Sequence, residues 1–144
     1  MKKIIAIACD HAGFDYKEII KAHLESAGFR VEDFGTHSTE PVDYPDFIRP
    51  AAKAVSTGSC QAGIVLGGSG NGESMVANKV PGIRCAICWN ETTGRMAKED
   101  FNCNMISIGQ RTLSAGEAIA IVDAWLHADF KAGNRQSQID RIDL

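Results

Sequence analysis

At 144 residues, with 44% hydrophobic and 23% charged side chains and 14 glycines, the chain fits one globular domain burying about two-thirds of its unfolded surface. A formal net charge of −3 and a pI near 5.8 give no electrostatic case for binding nucleic acid or a membrane surface. No apolar run approaches the ~20 residues that cross a bilayer. Residues 4–8 are too short for a signal-peptide core, so the sequence reads as cytoplasmic.

Residues 4–8 predict a buried first strand, and Asp10 to Gly13 a turn. The spacing of Tyr16, Ile19, Ile20, Leu24 and Ala27 predicts a helix over 14–27, ended by Gly28 as its C′ residue. Residues 29–34 alternate like a second strand, and 35–43 form a polar loop. Pro45 suits the first position of a helix that runs to about Thr57 and stops at Gly58. Residues 62–66 read as a third strand buried on both faces, followed by a glycine turn and a helix from about Gly72 to Pro81-Gly82. A fourth strand at 84–88 precedes a helix capped by Asn90 and reaching about Asp100. A fifth strand at 105–108 leads to Gly109-Gln110-Arg111. Ser114 and Glu117 form a capping box for the last long helix, with Ile121, Val122, Trp125 and Leu126 as its apolar stripe. A polar tail from about Lys131 carries Arg135 and Arg141. Alternating strands and helices without repeat or linker predict one α/β domain over 1–144, a three-layer α/β/α sandwich on a five-stranded parallel sheet of Rossmann-like type.

Ligands of open parallel sheets bind beyond the carboxyl ends of the strands, at the switch point of strand order. A switch between the first and third strands sets the turn at Asp10 beside the loop Gly67-Gly-Ser-Gly-Asn-Gly-Glu73. Asn90, Asn104 and Arg111 are expected on the same edge. Four of the six residues after Leu66 are glycine, and a helix starts only then. Such a loop leaves backbone N–H groups of Gly68, Ser69, Gly70, Asn71 and Gly72 aimed at one point, where negative oxygen is held. The loop lacks a Gly-Lys-Ser/Thr ending and completes no Gly-x-Gly-x-x-Gly, so neither nucleotide fingerprint is matched.

Glu73 falls in the first turn of the following helix, where the helix dipole favours a carboxylate. A fixed negative charge there repels a phosphate in the same loop. It suits an oxyanion that forms only during reaction, with the carboxylate moving a proton beside it. Asp10 either caps the first helix or meets a substrate. His11 offers a titratable donor for phosphate or a sugar hydroxyl. Arg111 and Arg135 are surface charges by default, and cationic grips if the substrate is phosphorylated. Tyr44 either lines the cleft or packs there. His23, His37 and His127 stand outside any metal-ligand pattern, and no metal or cofactor is expected. Five cysteines without a secretion signal are expected to be reduced. Cys85 and Cys88 share a strand three positions apart, so their thiols should diverge.

The segments Cys9-Asp-His-Ala-Gly-Phe14, Asp43-Tyr-Pro-Asp46, Gly67 to Glu73 with Ala77-Asn-Lys79, and Ser107-Ile-Gly-Gln-Arg111 occur in order along nearly the whole chain. Together they resemble ribose-5-phosphate isomerase B and the related galactose-6-phosphate isomerase subunits. The resemblance implies a five-stranded parallel fold, a homodimer (or dimer of dimers) whose sites use residues of both subunits, and metal-free aldose–ketose interconversion of a small phosphorylated sugar through a cis-enediolate. One branch of that family uses a cysteine base at the position of Gly67, another a glutamate at the position of Glu73, and this chain is similar to the second. By that resemblance Glu73 moves the proton between C1 and C2, and the amides around Ser69 to Gly72 with the Ser69 hydroxyl hold the enediolate oxygen. Asp10 contacts sugar hydroxyls, while His11, Arg111 and Arg135 serve the phosphate, some of them across the dimer.

Two departures fall on substrate-reading positions. The family usually has His-Asn, the histidine opening the sugar ring, where this chain has Asp100-Phe101. Its tail usually runs Arg-His-x-x-x-Arg, and here residues 135–140 read Arg-Gln-Ser-Gln-Ile139-Asp140, so the second arginine is missing, with Arg141 two residues after Ile139. An ordinary aspartate, with a pKa near ~3.9, is ionised at neutral pH and donates a proton poorly. Asp100 is therefore expected either to have taken over ring opening in an altered setting or to face a substrate that is open-chain already. A tetrulose 4-phosphate is such a substrate, and Phe101 suits its shorter chain. A non-catalytic phosphate-binding module of flavodoxin-like shape is the competing class, and a thiol-redox protein a third.

Overall fold

The computed structural model describes residues 3–143. Met1, Lys2 and Leu144, the ends of the predicted domain and tail, lie outside the described residues. Strands β1 (Ile4–Cys9), β2 (Arg30–Asp33), β3 (Ala62–Gly67), β4 (Cys85–Ile87) and β5 (Met105–Gly109) form one parallel sheet in the order β2-β1-β3-β5-β4. Helices α1 (Phe14–Ser26), α2 (Pro45–Ser56), α3 (Asn71–Asn78), α4 (Glu91–Glu99) and α5 (Ala115–His127) connect and cover it.

Strand alternation divides the core in two. Ile5, Ile7, Cys9, Ile64, Leu66, Ile106 and Ile108 face a layer built by Ile20 and Leu24 of α1, Ala97 of α4, and Ile121, Val122 and Trp125 of α5. On the other face Ala6, Ala8, Val65 and Met105 meet Ile48, Ala51, Ala52 and Val55 of α2 with Val76 and Ala77 of α3. Small side chains on that face of β1 let α2 lie close against the strand. Cys85 belongs to the second core and Cys88 to the first, so these two thiols do diverge across the sheet. All five cysteines are free and buried.

Three expectations need correction. Ile19 is 44% exposed and Ala27 is exposed, whereas Lys17 is fully buried, so the inner line of α1 runs 17, 20, 24. A lysine is tolerated there because its ammonium meets the carboxylate of Asp33, 2.6 Å away. Asn104 precedes β5 and so lies at the amino end of the sheet, where its side chain bonds Arg84 N–H and the Gly82 carbonyl. The tail is not merely polar. It folds a short helix, α6 (Arg135–Ile139), which buries Ile139.

Candidate active site

The chain switches direction between β1 and β3, and the carboxyl ends of these strands carry the two loops singled out by sequence. Asp10 follows β1 as the N-cap of a one-turn 3-10 helix at His11–Gly13. Its Oδ1 accepts the N–H groups of Ala12 (2.9 Å) and Gly13 (3.2 Å). The capping role is therefore real, and it fixes a buried carboxylate at the switch point. The Asp10 N–H donates to the Leu66 carbonyl at 3.3 Å, which ties this turn to the end of β3.

Beyond β3, Gly70 takes a left-handed φ of 84°, a backbone that side chains rarely adopt, and serves as the N-cap of α3. Glycine supplies no capping oxygen. Helices α4 and α5, by contrast, open with complete capping boxes from Asn90 with Thr93 and from Ser114 with Glu117. Ser69 Oγ accepts the Asn71 N–H at 3.2 Å, and the Gly70 carbonyl accepts the Ser107 hydroxyl at 2.8 Å. β5 clamps the start of the loop as well, since Gln110 N–H reaches the Gly67 carbonyl (2.8 Å) and Arg111 N–H the Gly68 carbonyl (3.0 Å). The result is a fixed, electropositive helix start whose N-cap residue adds no side-chain bond, the Ser69 hydroxyl taking the Asn71 N–H alone.

Glu73 projects back from the first turn of α3 into the space over Gly67 and is only 4% exposed. The fit is exact to the atom. A Cβ on Gly67 would lie 1.4 Å from Glu73 Oε1. Burial pushes the Glu73 carboxyl above the usual carboxylate range, the negative charge of Asp10 adds to the rise, and the residue's own N–H opposes it. A carboxyl raised in this way is a stronger base when ionised, and its protonated form is more populated near neutral pH.

Three more side chains frame the same spot. The phenol end of Tyr44 lies against Gly72, with Cζ 2.7 Å from where a Gly72 Cβ would stand. Arg111 reaches over Gly68, its Nη1 3.0 Å from the corresponding position there. His11 Nδ1 accepts the Val42 N–H at 3.1 Å, so the neutral ring carries its proton on Nε2, which is left to donate. Asp10, His11, Tyr44, Gly68 to Gly72, Glu73 and Arg111 thus gather on one edge.

Asp100, Phe101 and Arg135 do not join them within the chain. Asp100 caps the end of α4, just before β5, at the amino edge of the sheet. A helix between parallel strands runs back against them, so its last turn falls opposite the strand ends that carry Glu73. There Asp100 Oδ1 lies 3.3 Å from Arg135 Nη2, and Arg84 donates to the Phe101 and Asn102 carbonyls. Phe101 is 51% exposed.

Sequence reasoning missed two supports of the site. The Ser107 hydroxyl is a lone polar group in an otherwise apolar strand, which was a readable signal. The Lys17–Asp33 pair was hidden because Lys17 occupies a position that periodicity reserves for an apolar side chain.

Residues 5–142 match the family described as Ribose/Galactose Isomerase. The chain belongs to that family. A ribose-5-phosphate isomerase B of Mycolicibacterium paratuberculosis is 45% identical over 138 residues, covering 94% of this chain and 87% of the relative. Among solved structures, ribose-5-phosphate isomerase B of Clostridium thermocellum superposes with a TM-score of 0.96 at 44% identity, covering 97% of this chain and 95% of that one. The Mycoplasma genitalium ribose-5-phosphate isomerase B with bound ribulose-5-phosphate gives 0.94 at 38% identity, over 99% and 95%. These neighbours share the five-stranded parallel fold.

Proposed function

We propose that the chain is an aldose–ketose isomerase of small phosphorylated sugars, of the ribose 5-phosphate/ribulose 5-phosphate type, with Glu73 as the base. The carrying observation is a buried carboxyl that also feels the negative charge of Asp10, in the first turn of a helix whose N-cap glycine supplies no side-chain bond. Family membership and the ribulose-5-phosphate bound to the Mycoplasma genitalium relative support the substrate class.

The geometry supports one proton path. Ionised Glu73 takes the proton from C2 of the open-chain aldose, and the released electron pair forms the C1–C2 double bond as the aldehyde oxygen becomes an oxyanion. N–H groups at the start of α3 and the Ser69 hydroxyl stabilise that oxygen. A proton passes from O2 to O1, and protonated Glu73 returns its proton to C1, leaving the ketose. Asp10 orients sugar hydroxyls. His11 Nε2–H and Arg111 take the phosphate end.

A second copy of the chain completes this reading. β4 is an edge strand, and Trp89, Met96, Phe101 and Ile142 stand 58%, 41%, 51% and 55% exposed around it. Side chains of that size around an edge strand suit burial against a partner. We place Asp100, Phe101 and Arg135 in the partner's site through such an interface, with the cytoplasm, where the five free thiols stay reduced, as the compartment.

One observation favours a second reading of the substrate. Asp100 Oδ1 lies 3.3 Å from the Arg135 guanidinium, so within the chain this carboxylate is occupied by a cation at the position where the family resemblance expects a ring-opening histidine. A tetrulose 4-phosphate has no ring to open, because its terminal oxygen carries the phosphate. Tetrose, pentose and hexose phosphates assayed for isomerisation, with deuterium uptake from solvent followed by proton NMR, test both readings. Turnover of any member supports isomerase chemistry, and a higher kcat/KM for the tetrulose supports the second reading. Binding without exchange or turnover across the panel would leave only a phosphate-binding module.

A further inference from the structure

Lys17 has no exposed surface, and the proton path does not use it. Its ammonium lies 2.8 and 2.6 Å from the two oxygens of Asp33 and 3.4 Å from Glu18, with the Phe14 ring 5.4 Å away. Lys21 brings a second cation to 3.3 Å from Asp33 Oδ2. Burial pushes the Asp33 carboxyl up, but the Lys17 hydrogen bonds and the Gly35 N–H outweigh it and hold the group below its usual range. Burying an ammonium is costly, and apolar side chains in place of such pairs are often neutral or stabilising. An apolar residue at 17 would simply extend the line of Ile20 and Leu24. What the ion pair adds is position.

The hydrogen bonds trace that position to the site. Asp33 Oδ1 also accepts the Gly35 N–H at 2.9 Å. The Gly35 carbonyl takes the Cys9 N–H at 2.7 Å, and the Thr36 N–H returns to the Cys9 carbonyl at 2.8 Å. Asp10 is the next residue. Further along the same connection Val42 fixes His11, and Tyr44 covers Gly72. The segment between β2 and α2 therefore touches the site three times, and Asp33 sets where it starts. Glu73 is carried by β3 and α3, on the other side of the switch point.

We propose that Asp33, anchored by the buried Lys17 ammonium, is a positioning residue for the Asp10–His11 turn, acting through Gly35 and Cys9, so that substrate binding depends on its acceptor oxygen and proton transfer does not. The kinetic part rests on the sugar-phosphate reading above. Asp33→Ala removes the acceptor for Lys17 and Gly35, Asp33→Asn keeps a carbonyl for the Gly35 N–H, and Lys17→Met removes the cation. Asp33→Ala and Lys17→Met are expected to raise KM about tenfold with kcat within about threefold, while Asp33→Asn stays within about threefold in both. Should Lys17→Met fail to fold, the two Asp33 variants carry the comparison.

An activity-free readout separates this proposal from the isomerase reading. Nitrogen NMR of the ligand-free protein should show His11 as the Nε2–H tautomer in the parent and in Asp33→Asn, and a tautomer mixture in Asp33→Ala. If the parent turns over no sugar phosphate, this readout decides alone. An unchanged His11 tautomer in Asp33→Ala overturns the proposal. So does an equal rise in KM for the alanine and asparagine variants, or a fall confined to kcat.

Discussion

An alanine at position 67 would place a methyl group where the Glu73 carboxylate now stands. The ideal Cβ falls 1.4 Å from Oε1, 2.2 Å from Cδ and 2.7 Å from Oε2. Ordinary contact begins near 3.4 Å, so the carboxylate must retreat by about 2 Å. A misplacement of about 1 Å can cost about 100-fold in rate, so Gly67→Ala is expected to lower kcat by at least about 100-fold. The backbone should not suffer, because Gly67 belongs to β3, a conformation alanine adopts freely. Continuous isomerisation kinetics on the best sugar phosphate, with a thermal melt alongside, read the two effects separately. The double variant Gly67→Ala/Glu73→Ala gives the methyl its room and should melt like the parent while remaining inactive. Gly67→Ala with kcat within tenfold of the parent would refute the reasoning, since the base would then work from somewhere else.

Native alkylation with iodoacetamide should leave activity intact, because burial pushes Cys9 and Cys88 up to about 12, Cys60 and Cys103 to about 11, and Cys85 well above its ordinary value. Inactivation that tracks one modified thiol and is slowed by substrate would count against this. Asp10→Asn keeps the capping oxygen but removes the charge that helps raise Glu73, so the acid limb of the kcat/KM profile should move to lower pH. An unmoved limb shows that Asp10 does not tune the base. Asp100→Asn should leave a tetrulose 4-phosphate unaffected, and a selective loss on ribose 5-phosphate would mean that Asp100 opens the ring.

The strand pattern, the caps and the switch point were legible because each rests on local chemistry. Apolar runs, Asn90, Ser114 and the glycine turn announce themselves within a few residues. The place of Glu73 was legible for a related reason, since the glycine turn fixes where the helix and its first-turn carboxylate begin. That a side chain at 67 and the carboxylate of 73 compete for one volume became visible only in three dimensions. The line of α1 was misread at Ile19 and Lys17 because periodicity cannot see Asp33, sixteen residues away on β2. Asn104 was placed on the wrong edge because it precedes rather than follows its strand. Asp100 and Phe101 were readable as residues but not as places, since α4 returns them to the amino edge of their own chain.

Glu73→Gln tests the central claim most directly. The amide fills the same space and cannot take a proton, so kcat should fall by about 100- to 10,000-fold with KM little changed. Stability should move the other way. The folded-state pKa of Glu73 is raised, so its favourable contribution is full below the unfolded value of about 4.3 and is lost as pH rises through the folded value. The glutamine variant should therefore melt higher than the parent at neutral pH, with the gap closing toward acid. The decisive reading is deuterium uptake into the ketose phosphate from solvent: the parent exchanges the C1 hydrogen and Glu73→Gln does not. Exchange by Glu73→Gln within tenfold of the parent rate would contradict the account, because some other group would then be moving the proton.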